Sequence, residues 1–240
     1  MNVTILLPVY NDKKKIFSNI NHLLSKLEET NFNFEIIVIN DGSTDQTLEE
    51  IKKIKSEKVK YDTYKKNMGK GYAIKKGIKI AKFENILFTD SDLAYPPSEI
   101  INIINKYFEF EVKKIIIANR RHPKSKFILS YDYIKYVYSR EIIGRAFNRF
   151  LKILNLTSFE DTQAGLKIFP KKMSFLEKIK SNDFLYDIEL LHFAKRDKIE
   201  IIDYPITYIY HDTTTSTSII KGSFLVLFKL LKIFVRLRNE

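Results

Sequence analysis

Short apolar stretches alternate with longer stretches of mixed polar and apolar residues through the first half of the chain. The apolar stretches are rich in isoleucine, valine and phenylalanine, and they predict β-strands at 3–8, 34–40, 58–64, 85–90 and 114–119. The longer stretches predict helices at 14–29, 44–56, 69–82 and 98–108. This alternation favours an α/β fold with a mostly parallel sheet and helices on both of its faces.

The pattern changes after residue 119. A long helical stretch is predicted at 127–156, with an interruption near Ser130 or Gly144. Two further helices are predicted at 171–180 and 184–196, and short strands at 166–169, 200–203 and 206–210. The chain shows no internal repeat and no linker composition. We therefore expect one domain at 1–218, followed by a helix at 219–240.

Polar residues follow three of the predicted strands: Asn11-Asp12, Asn40-Asp41 and Asp90-Ser91-Asp92. The carboxyl ends of parallel strands meet at one edge of a sheet, which is where ligands bind in such folds. Asp90 and Asp92 are alternate residues of an extended segment, so their carboxylates point the same way. Mg²⁺ takes one or two carboxylates and fills its shell with water and substrate phosphates, so the pair suggests a metal–diphosphate site. The alternative is a solvated turn or a helix cap.

Two turns lie directly before predicted helices. In the first, Gly42 provides backbone freedom, and Ser43 with Gln46 fits a capping box. The second is the segment 67–71, Asn-Met-Gly-Lys-Gly, which opens a helix. Its glycines would let the backbone approach an anion at the helix N-terminus. An ordinary glycine turn explains the same residues.

Composition limits the possible classes of protein. The 240 residues include no cysteine, which excludes disulfides, thiol catalysis and thiolate metal sites, and fits a reducing compartment. The N-terminus lacks the features of a signal peptide, so we expect a protein that is not secreted, and no stretch is apolar enough to span a bilayer. The net charge of +12 indicates a polyanionic partner. An AT-rich genome would also enrich lysine without any functional cause.

Four ordered motifs together resemble the family 2 glycosyltransferases, which have the GT-A fold, a Rossmann-like α/β fold. They are the segments 4–12, 38–45, 67–71 and 90–92. The resemblance implies a nucleotide-sugar donor in the half at 1–120, with Mg²⁺ or Mn²⁺ on Asp90 and Asp92. It implies nucleotide contacts from Pro8, Tyr10, Asp12, Asp41, Lys70 and Ser91. Asn40 departs from the acidic residue that is usual in the family.

The second half of the chain resembles one branch of this family. The segments 161–169 (Asp-Thr-Gln-Ala-Gly-Leu-Lys-Ile-Phe) and 186–191 are similar to the polyprenyl-phosphate sugar transferases, closest to the dolichyl-phosphate glucosyltransferase pattern. The segment 92–97 is more similar to the mannosyltransferase version. The resemblance thus implies transfer of a hexose to a polyprenyl or dolichyl phosphate. UDP-glucose is the first candidate donor and GDP-mannose the second.

The same resemblance assigns the half at 121–218 to the acceptor. It implies that Arg120, Arg140 and Gln163 hold the acceptor phosphate, and a planar guanidinium suits such bidentate contacts. Asp161 is expected to position the acceptor or the sugar, or to act as the base if the acceptor is a hydroxyl. His211 is a candidate contact of the diphosphate. The alternative is a structural role for this histidine. Separately, Gly144 stands at a position where relatives often have serine.

The C-terminal helix is predicted to be amphipathic and basic. On a helical wheel, Ser218, Lys221, Gly222, Lys229, Lys232 and Arg236 share one side, and apolar residues cover most of the rest. Such a helix suits a membrane interface, although packing on the core is the other possibility for an apolar face. The expected location is therefore the cytoplasmic face of a membrane, with peripheral binding or with a membrane-protein partner.

Two other functions stay open at this point. A related transferase could glycosylate a hydroxyl of a glycan or lipid. A non-catalytic basic module could bind anionic membrane or nucleic acid, but the chain contains no RNA-binding motif, and we expect no nucleic-acid partner.

Overall fold

The computed structural model describes residues 1–112, 114–131, 134–210 and 219–239, with the backbone alone at 135, 136, 139, 140, 219–227 and 239. Its contacts group the chain into two compact units. The first unit comprises Met1–Ile128 with Phe159–Ile209, and the second comprises Leu129–Ser158 with Tyr210–Glu240. The expected division at residue 218 stays a prediction.

The first unit is built on a seven-stranded sheet in the order β3-β2-β1-β4-β7-β5-β8. Neighbouring strands are parallel except at β7, which is antiparallel to both β4 and β5. The strands of this sheet are β1 (Asn2–Val9), β2 (Asn33–Asn40), β3 (Val59–Thr63), β4 (Asn85–Phe88), β5 (Ile115–Asn119), β7 (Lys167–Pro170) and β8 (Ile201–Pro205). Two short strands, β6 (Lys126–Ile128) and β9 (Thr207–Ile209), form a separate parallel pair. The predicted α/β class with a mostly parallel sheet is confirmed.

Helices pack on both faces of this sheet because neighbouring strand residues point to opposite sides. Ile5 and Leu7 of β1 belong to the core cluster that includes residues of α1 and α4. Leu6, between them, contacts α3 at Gly77. The helices of the first unit are α1 (Ile16–Glu28), α2 (Thr47–Lys52), α3 (Lys70–Ile80), α4 (Pro97–Phe108) and α6 (Tyr186–Arg196).

Three sequence predictions about helices differ from the structure. The stretch predicted as a helix at 171–180 contains only a 3₁₀ helix, Ser174–Lys178. The stretch at 127–156 begins as strand β6, and helix α5 (Ile134–Ile153) starts only after Ser130, so the interruption predicted near Ser130 agrees with the structure. The alternative near Gly144 is wrong, because α5 continues through that residue. The helix predicted from residue 44 begins at Thr47 and ends at Lys52. In the first two cases pairing and packing with residues distant in sequence override the local pattern.

The second unit contains α5 and α7 (Ile219–Asn239). On α7, Leu230, Ile233 and Leu237 are buried, whereas Phe228, Leu231 and Val235 are exposed. Exposed apolar residues also occur on α5, at Ile134, Tyr138, Ile142, Ile143 and Ile153. Among the residues that the structure describes, no helix is both long and apolar enough to cross a bilayer.

Candidate active site

Asp12, Asp41, Asp90 and Asp92 follow the carboxyl ends of β1, β2 and β4, and we call this side of the sheet the acidic edge. Parallel registry brings Val9 beside Asn40 and Leu6 beside Phe88, so the residues that follow these strands lie at one edge of the sheet. Ser91 Oγ donates to Asp12 Oδ2 at 3.5 Å. Burial and the nearby Asp92 carboxylate raise the pKa of Asp12 to about 6. This edge therefore concentrates negative charge that a cation would offset.

Asp90 lies between a lysine and a glycine. The Lys70 ammonium, at the start of α3, forms an ion pair with Asp90 Oδ1. On the other side a Cβ at Gly165 would lie only 1.8 Å from Asp90 Oδ2, so any larger residue would displace this carboxylate. Asp92 turns back to accept a hydrogen bond from the Ala94 N–H at 3.0 Å. Residues 90–93 form a turn, in which the Leu93 N–H donates to the Asp90 carbonyl oxygen at 3.4 Å and Leu93 has a φ of 52°. The extended segment predicted at 90–92 is therefore wrong, because β4 ends at Phe88, and the alternation of a strand does not align the two carboxylates.

These carboxylates fit the expected metal. Their hard oxygen ligands suit Mg²⁺ or Mn²⁺, and the missing side chain at Gly165 makes room for the Asp90 carboxylate itself. No group of three or more His, Cys, Asp or Glu side chains able to hold a metal occurs in the described part of the chain. Mg²⁺ takes only one or two carboxylates when substrate phosphates complete its shell, so a pair suffices.

Arg120 and Asp161 form a buried ion pair beyond the carboxyl end of β5. Arg120 Nε donates to Asp161 Oδ2 at 2.7 Å and Nη2 to Oδ1 at 2.8 Å, while the Arg120 backbone N–H reaches Oδ2 at 3.0 Å. Burial raises the pKa of Asp161, but Arg120 outweighs this and lowers it to about 2. An aspartate held in this way is a poor base at neutral pH. Its structural effect is to orient Arg120.

Loop 161–165 connects this ion pair to the acidic edge. Asp161 at its start holds Arg120, and Gly165 at its end touches Asp90. The Gly165 N–H donates to the hydroxyl of the fully buried Tyr95 at 2.9 Å. Within the loop, the Gln163 amide nitrogen is buried and has no hydrogen-bond partner in the described part of the chain. The loop therefore carries an unsatisfied donor at a residue that lies, in sequence, between the partner of Arg120 and the glycine beside Asp90.

Two buried charged residues near this loop were assigned no role from the sequence. Lys167 and Asp187 are almost fully buried, and their Nζ and Oδ1 atoms are 2.7 Å apart. A lysine within an apolar strand must find polar partners, so a buried polar contact of Lys167 could have been predicted. What the sequence could not show is which carboxylate pairs with it.

The Asp41 carboxylate binds the backbone of the glycine turn. Asp41 Oδ1 accepts the Met68 N–H at 2.7 Å, and Oδ2 accepts the Gly69 N–H at 2.9 Å. Its neighbour Asn40 donates from Nδ2 to Thr63 Oγ1 at 3.0 Å, which joins the ends of β2 and β3. Asp41 thus positions the start of α3, and with it Lys70. The predicted nucleoside contact of Asp41 stays a prediction.

The glycines of the turn are required by close packing. Gly69 has a φ of 97°, and a Cβ there would lie 2.5 Å from the Asn182 carbonyl oxygen. A Cβ at Gly71 would lie 2.7 Å from Tyr186 Cβ. The Tyr72 N–H donates to the Asn182 carbonyl at 2.9 Å. This side of the turn is occupied by protein, so the ordinary glycine turn explains these glycines.

The loops after β1 and β2 are cross-linked. The Asn11 N–H donates to Ser43 Oγ at 3.0 Å, and the Asp12 N–H donates to Thr47 Oγ1 at 2.8 Å. The predicted capping box of Ser43 and Gln46 is wrong, because α2 starts at Thr47 and its N-cap residue, Gln46, makes no side-chain capping hydrogen bond. Ser43 instead fixes the loop that carries Asp12.

The remaining predicted site residues are Pro8, Tyr10, Arg140 and His211. Pro8 is half-buried in β1, and Tyr10 follows that strand with 41% of its surface exposed. Arg140 lies in α5 of the second unit, and the structure describes only the backbone of this residue. His211 lies outside the described residues. The individual roles assigned to all of these residues stay predictions.

Comparison with known proteins defines the class that this fold and site represent. Residues 4–169 match the glycosyl transferase family 2 model, so the chain belongs to that family. It is 29% identical over 221 residues to the dolichyl-phosphate β-glucosyltransferase of Homo sapiens, covering 86% of this chain and 67% of that protein. The enzyme of the same name from Drosophila melanogaster is 26% identical over 232 residues, covering 90% of this chain and 70% of the relative.

Solved structures support the fold. Glucosyl-3-phosphoglycerate synthase from Mycobacterium tuberculosis, in complex with Mn²⁺, UDP and phosphoglyceric acid, superposes with a TM-score of 0.65 at 18% identity, covering 97% of this chain and 78% of that one. Mannosyl-3-phosphoglycerate synthase from Rubrobacter xylanophilus superposes with a TM-score of 0.66 at 15% identity, covering 98% of this chain and 73% of that one. The chain therefore has the GT-A fold, as the sequence motifs predicted, and is a glycosyltransferase.

Proposed function

We propose that this protein transfers a hexose from a nucleotide sugar to a polyprenyl or dolichyl phosphate, with inversion at the anomeric carbon. The observation that carries the proposal is loop 161–165, which touches Asp90 at one end and holds Arg120 through Asp161 at the other. An acidic site for a metal and diphosphate and an arginine for a phosphate thus share one loop. The similarity to dolichyl-phosphate β-glucosyltransferases supports the same acceptor.

The donor occupies the acidic edge in this proposal. Asp90 and Asp92 hold Mg²⁺ or Mn²⁺, which would neutralise the donor diphosphate and stabilise the departing nucleotide. Lys70, already beside Asp90, adds a positive charge for the same diphosphate. Ser91 and Asp12 lie next to this pair, and with Pro8, Tyr10 and Asp41 they bind the nucleoside side of the donor.

The acceptor phosphate binds to the guanidinium of Arg120. Asp161 uses Nε and Nη2 of that group, so Nη1 is the nitrogen available for a phosphate oxygen. Gln163 contributes its unsatisfied amide nitrogen. Arg140 and His211 are proposed as further contacts, of the acceptor phosphate and the diphosphate respectively.

The transfer is a single displacement. An oxygen of the acceptor phosphate attacks the anomeric carbon, the bond from that carbon to the diphosphate oxygen breaks, and the nucleoside diphosphate leaves. Because the acceptor phosphate is already ionised, no general base is needed. This agrees with an Asp161 whose pKa Arg120 keeps near 2 against the effect of burial. Asp161 accordingly orients Arg120.

A lipid acceptor requires contact with a membrane. The exposed apolar residues of α5 and α7 in the second unit suit burial in the interfacial layer, and Lys232 and Arg238 on α7 suit anionic headgroups. We place the protein at the cytoplasmic face of a membrane, bound peripherally or with a membrane-protein partner.

The proposal is tested by transfer assays with UDP-glucose and GDP-mannose. Each donor is supplied with Mg²⁺ or Mn²⁺ and a short-chain polyprenyl phosphate, and a polyprenol without phosphate is the matched acceptor control. We expect a hexosyl phospholipid from one donor, dependence on the metal and no product from the polyprenol. Transfer only to a hydroxyl acceptor would contradict the proposal and favour the related transferase of glycans or lipids.

Replacement of Gly165 by alanine tests the geometry beside Asp90. The added Cβ would displace the Asp90 carboxylate, so we expect affinity for Mn²⁺ with the nucleotide to fall about tenfold or more. Gly77→Ala is the control, because its added Cβ would also crowd a side chain, with Leu6 Cδ2 at 2.9 Å, but away from Asp90. Isothermal titration measures both variants. Unchanged affinity in a folded Gly165→Ala protein would show that Asp90 is not a metal ligand.

A further inference from the structure

Lys167 is completely buried, and its ammonium contacts one carboxylate and two backbone carbonyl groups. Its ammonium lies 2.7 Å from Asp187 Oδ1 and donates to the carbonyl oxygens of Ala164 at 2.6 Å and Thr162 at 3.1 Å. Two of its three N–H donors are thus used by backbone groups, and the Asp187 carboxylate balances its charge. Both backbone groups belong to loop 161–165, which connects Asp90 with Arg120.

The position of Lys167 in the sheet explains its reach. It is the first residue of β7, and antiparallel registry places it opposite Phe88, two residues before Asp90. Its ammonium lies 5.4 Å from the Phe88 ring centroid, and that of Lys70 lies 5.6 Å from the same ring. Lys70 forms an ion pair with Asp90, and Lys167 forms one with Asp187. Two lysine–aspartate pairs therefore lie around one aromatic ring beneath the site.

Asp187 connects this arrangement to α6. It is the second residue of that helix, where a carboxylate is favoured by the helix dipole, and it is 3% exposed. Charge burial of this kind is costly, and a pair of apolar side chains could fill the same volume without that cost. Backbone carbonyls that converge on an ammonium supply a reason for the charge, because an apolar residue could not bind them.

We propose that Lys167 and Asp187 form a positioning pair that holds loop 161–165 against Asp90 and thereby sets the affinity of the site for a nucleotide with its divalent cation. This inference rests on the proposed function. Asp187 fixes the ammonium, the ammonium fixes the Thr162 and Ala164 carbonyls, and these fix Gly165 beside Asp90. Neither residue touches the donor.

The test replaces the pair by apolar residues of similar size, in the variant Lys167→Met/Asp187→Leu. Removing both charges avoids leaving one of them buried alone, so the fold is retained. Binding of UDP and of GDP with Mn²⁺ is measured by isothermal titration, beside the melting temperature. We expect the dissociation constant to rise about tenfold or more, as when a group that orients a metal ligand is removed.

Lys171→Met is the matched control. Lys171 follows β7 at the opposite edge of the sheet and donates to the Ala81 carbonyl at 2.6 Å, so it too anchors backbone, but away from the site. We expect its binding constant to equal that of the wild type. In turnover assays the double variant should raise the KM for the nucleotide sugar with little change in kcat, because the loss is in binding.

Two results would overturn the inference. One is wild-type nucleotide affinity in a folded double variant, and the other is an equal loss of affinity in Lys171→Met. If the double variant does not fold, the single variant Asp187→Asn is measured instead, because it keeps an oxygen acceptor for the Lys167 ammonium. We expect it to lose less nucleotide affinity than the double variant. Unchanged affinity would refute the positioning role of Lys167 and Asp187. Absence of binding to the wild type by both nucleotides would instead refute the proposed function.

Discussion

Replacing Asp90 with alanine is expected to lower kcat/KM for hexose transfer about a thousandfold, which corresponds to roughly 4 kcal/mol of transition-state stabilisation. The variant lacks the proposed metal ligand and also the ion-pair partner of Lys70. It should also lose the thermal stabilisation by a nucleotide with Mn²⁺ that we expect of the wild type. Steady-state transfer assays and a thermal-shift series measure these two effects.

The chain provides a close control in Asp62→Ala. Asp62 forms an ion pair with Lys76, another lysine of α3, at 3.0 Å. The side chains of Lys76 and Asp62 are 29% and 30% exposed, and those of Lys70 and Asp90 are 27% and 36% exposed, so the two ion pairs have similar exposure. Asp62 lies on β3, outside the acidic segment 90–92. Its loss should leave turnover close to that of the wild type. Equal losses in both variants would mean that Asp90 acts only as a structural ion-pair partner.

Replacing Asp161 with asparagine is expected to lower the free energy of unfolding by about 3 kcal/mol at pH 7, because the Arg120 charge is left without its buried partner. The sign of the pH dependence of this stability difference follows from the pKa of Asp161, which Arg120 lowers from 3.8 to about 2 against the effect of burial. In the wild type this carboxylate contributes stability that is present above pH 4 and is lost as the pH falls through 2. Asparagine does not titrate, so the difference between the two proteins should narrow at low pH.

Urea unfolding at pH 7 and pH 3 measures this difference, with Asp203→Asn as the control of opposite sign. Burial and the neighbouring Asp161 raise the pKa of Asp203, so its charge opposes folding at neutral pH. Its replacement should therefore be neutral or stabilising at pH 7. A loss of stability in Asp161→Asn that is the same at both pH values would contradict the ion-pair explanation.

The expected effect on transfer separates Asp161 from a catalytic base. Without Asp161, Arg120 is misplaced, so the KM for the polyprenyl phosphate should rise more than kcat falls. A base would instead show its loss in kcat, with a pH profile that follows its own titration. Turnover measured across pH 5–8 with saturating acceptor distinguishes the two roles.

Much of this fold and of the acidic edge could be predicted from the sequence. Strand and helix spacing indicates a parallel sheet, and in such a sheet the residues after each strand meet at one edge, so Asp12, Asp41 and Asp90 could be grouped without coordinates. Local patterns failed where distant pairing decides. Residues 126–128 become a strand because β9 lies beside them, and their own sequence suggests a helix equally well.

The sequence by itself determined the class of the protein, because the motifs that carry the chemistry are short, ordered and placed at the ends of strands. Tertiary structure decided which groups these residues contact. It showed that Asp41 binds the glycine turn, that Asp161 is held by Arg120, and that Lys167 and Asp187 support the loop between the two halves of the site. The physical reason is that a side chain carries its chemistry in its own atoms, whereas hydrogen bonds and ion pairs depend on residues far away in the sequence.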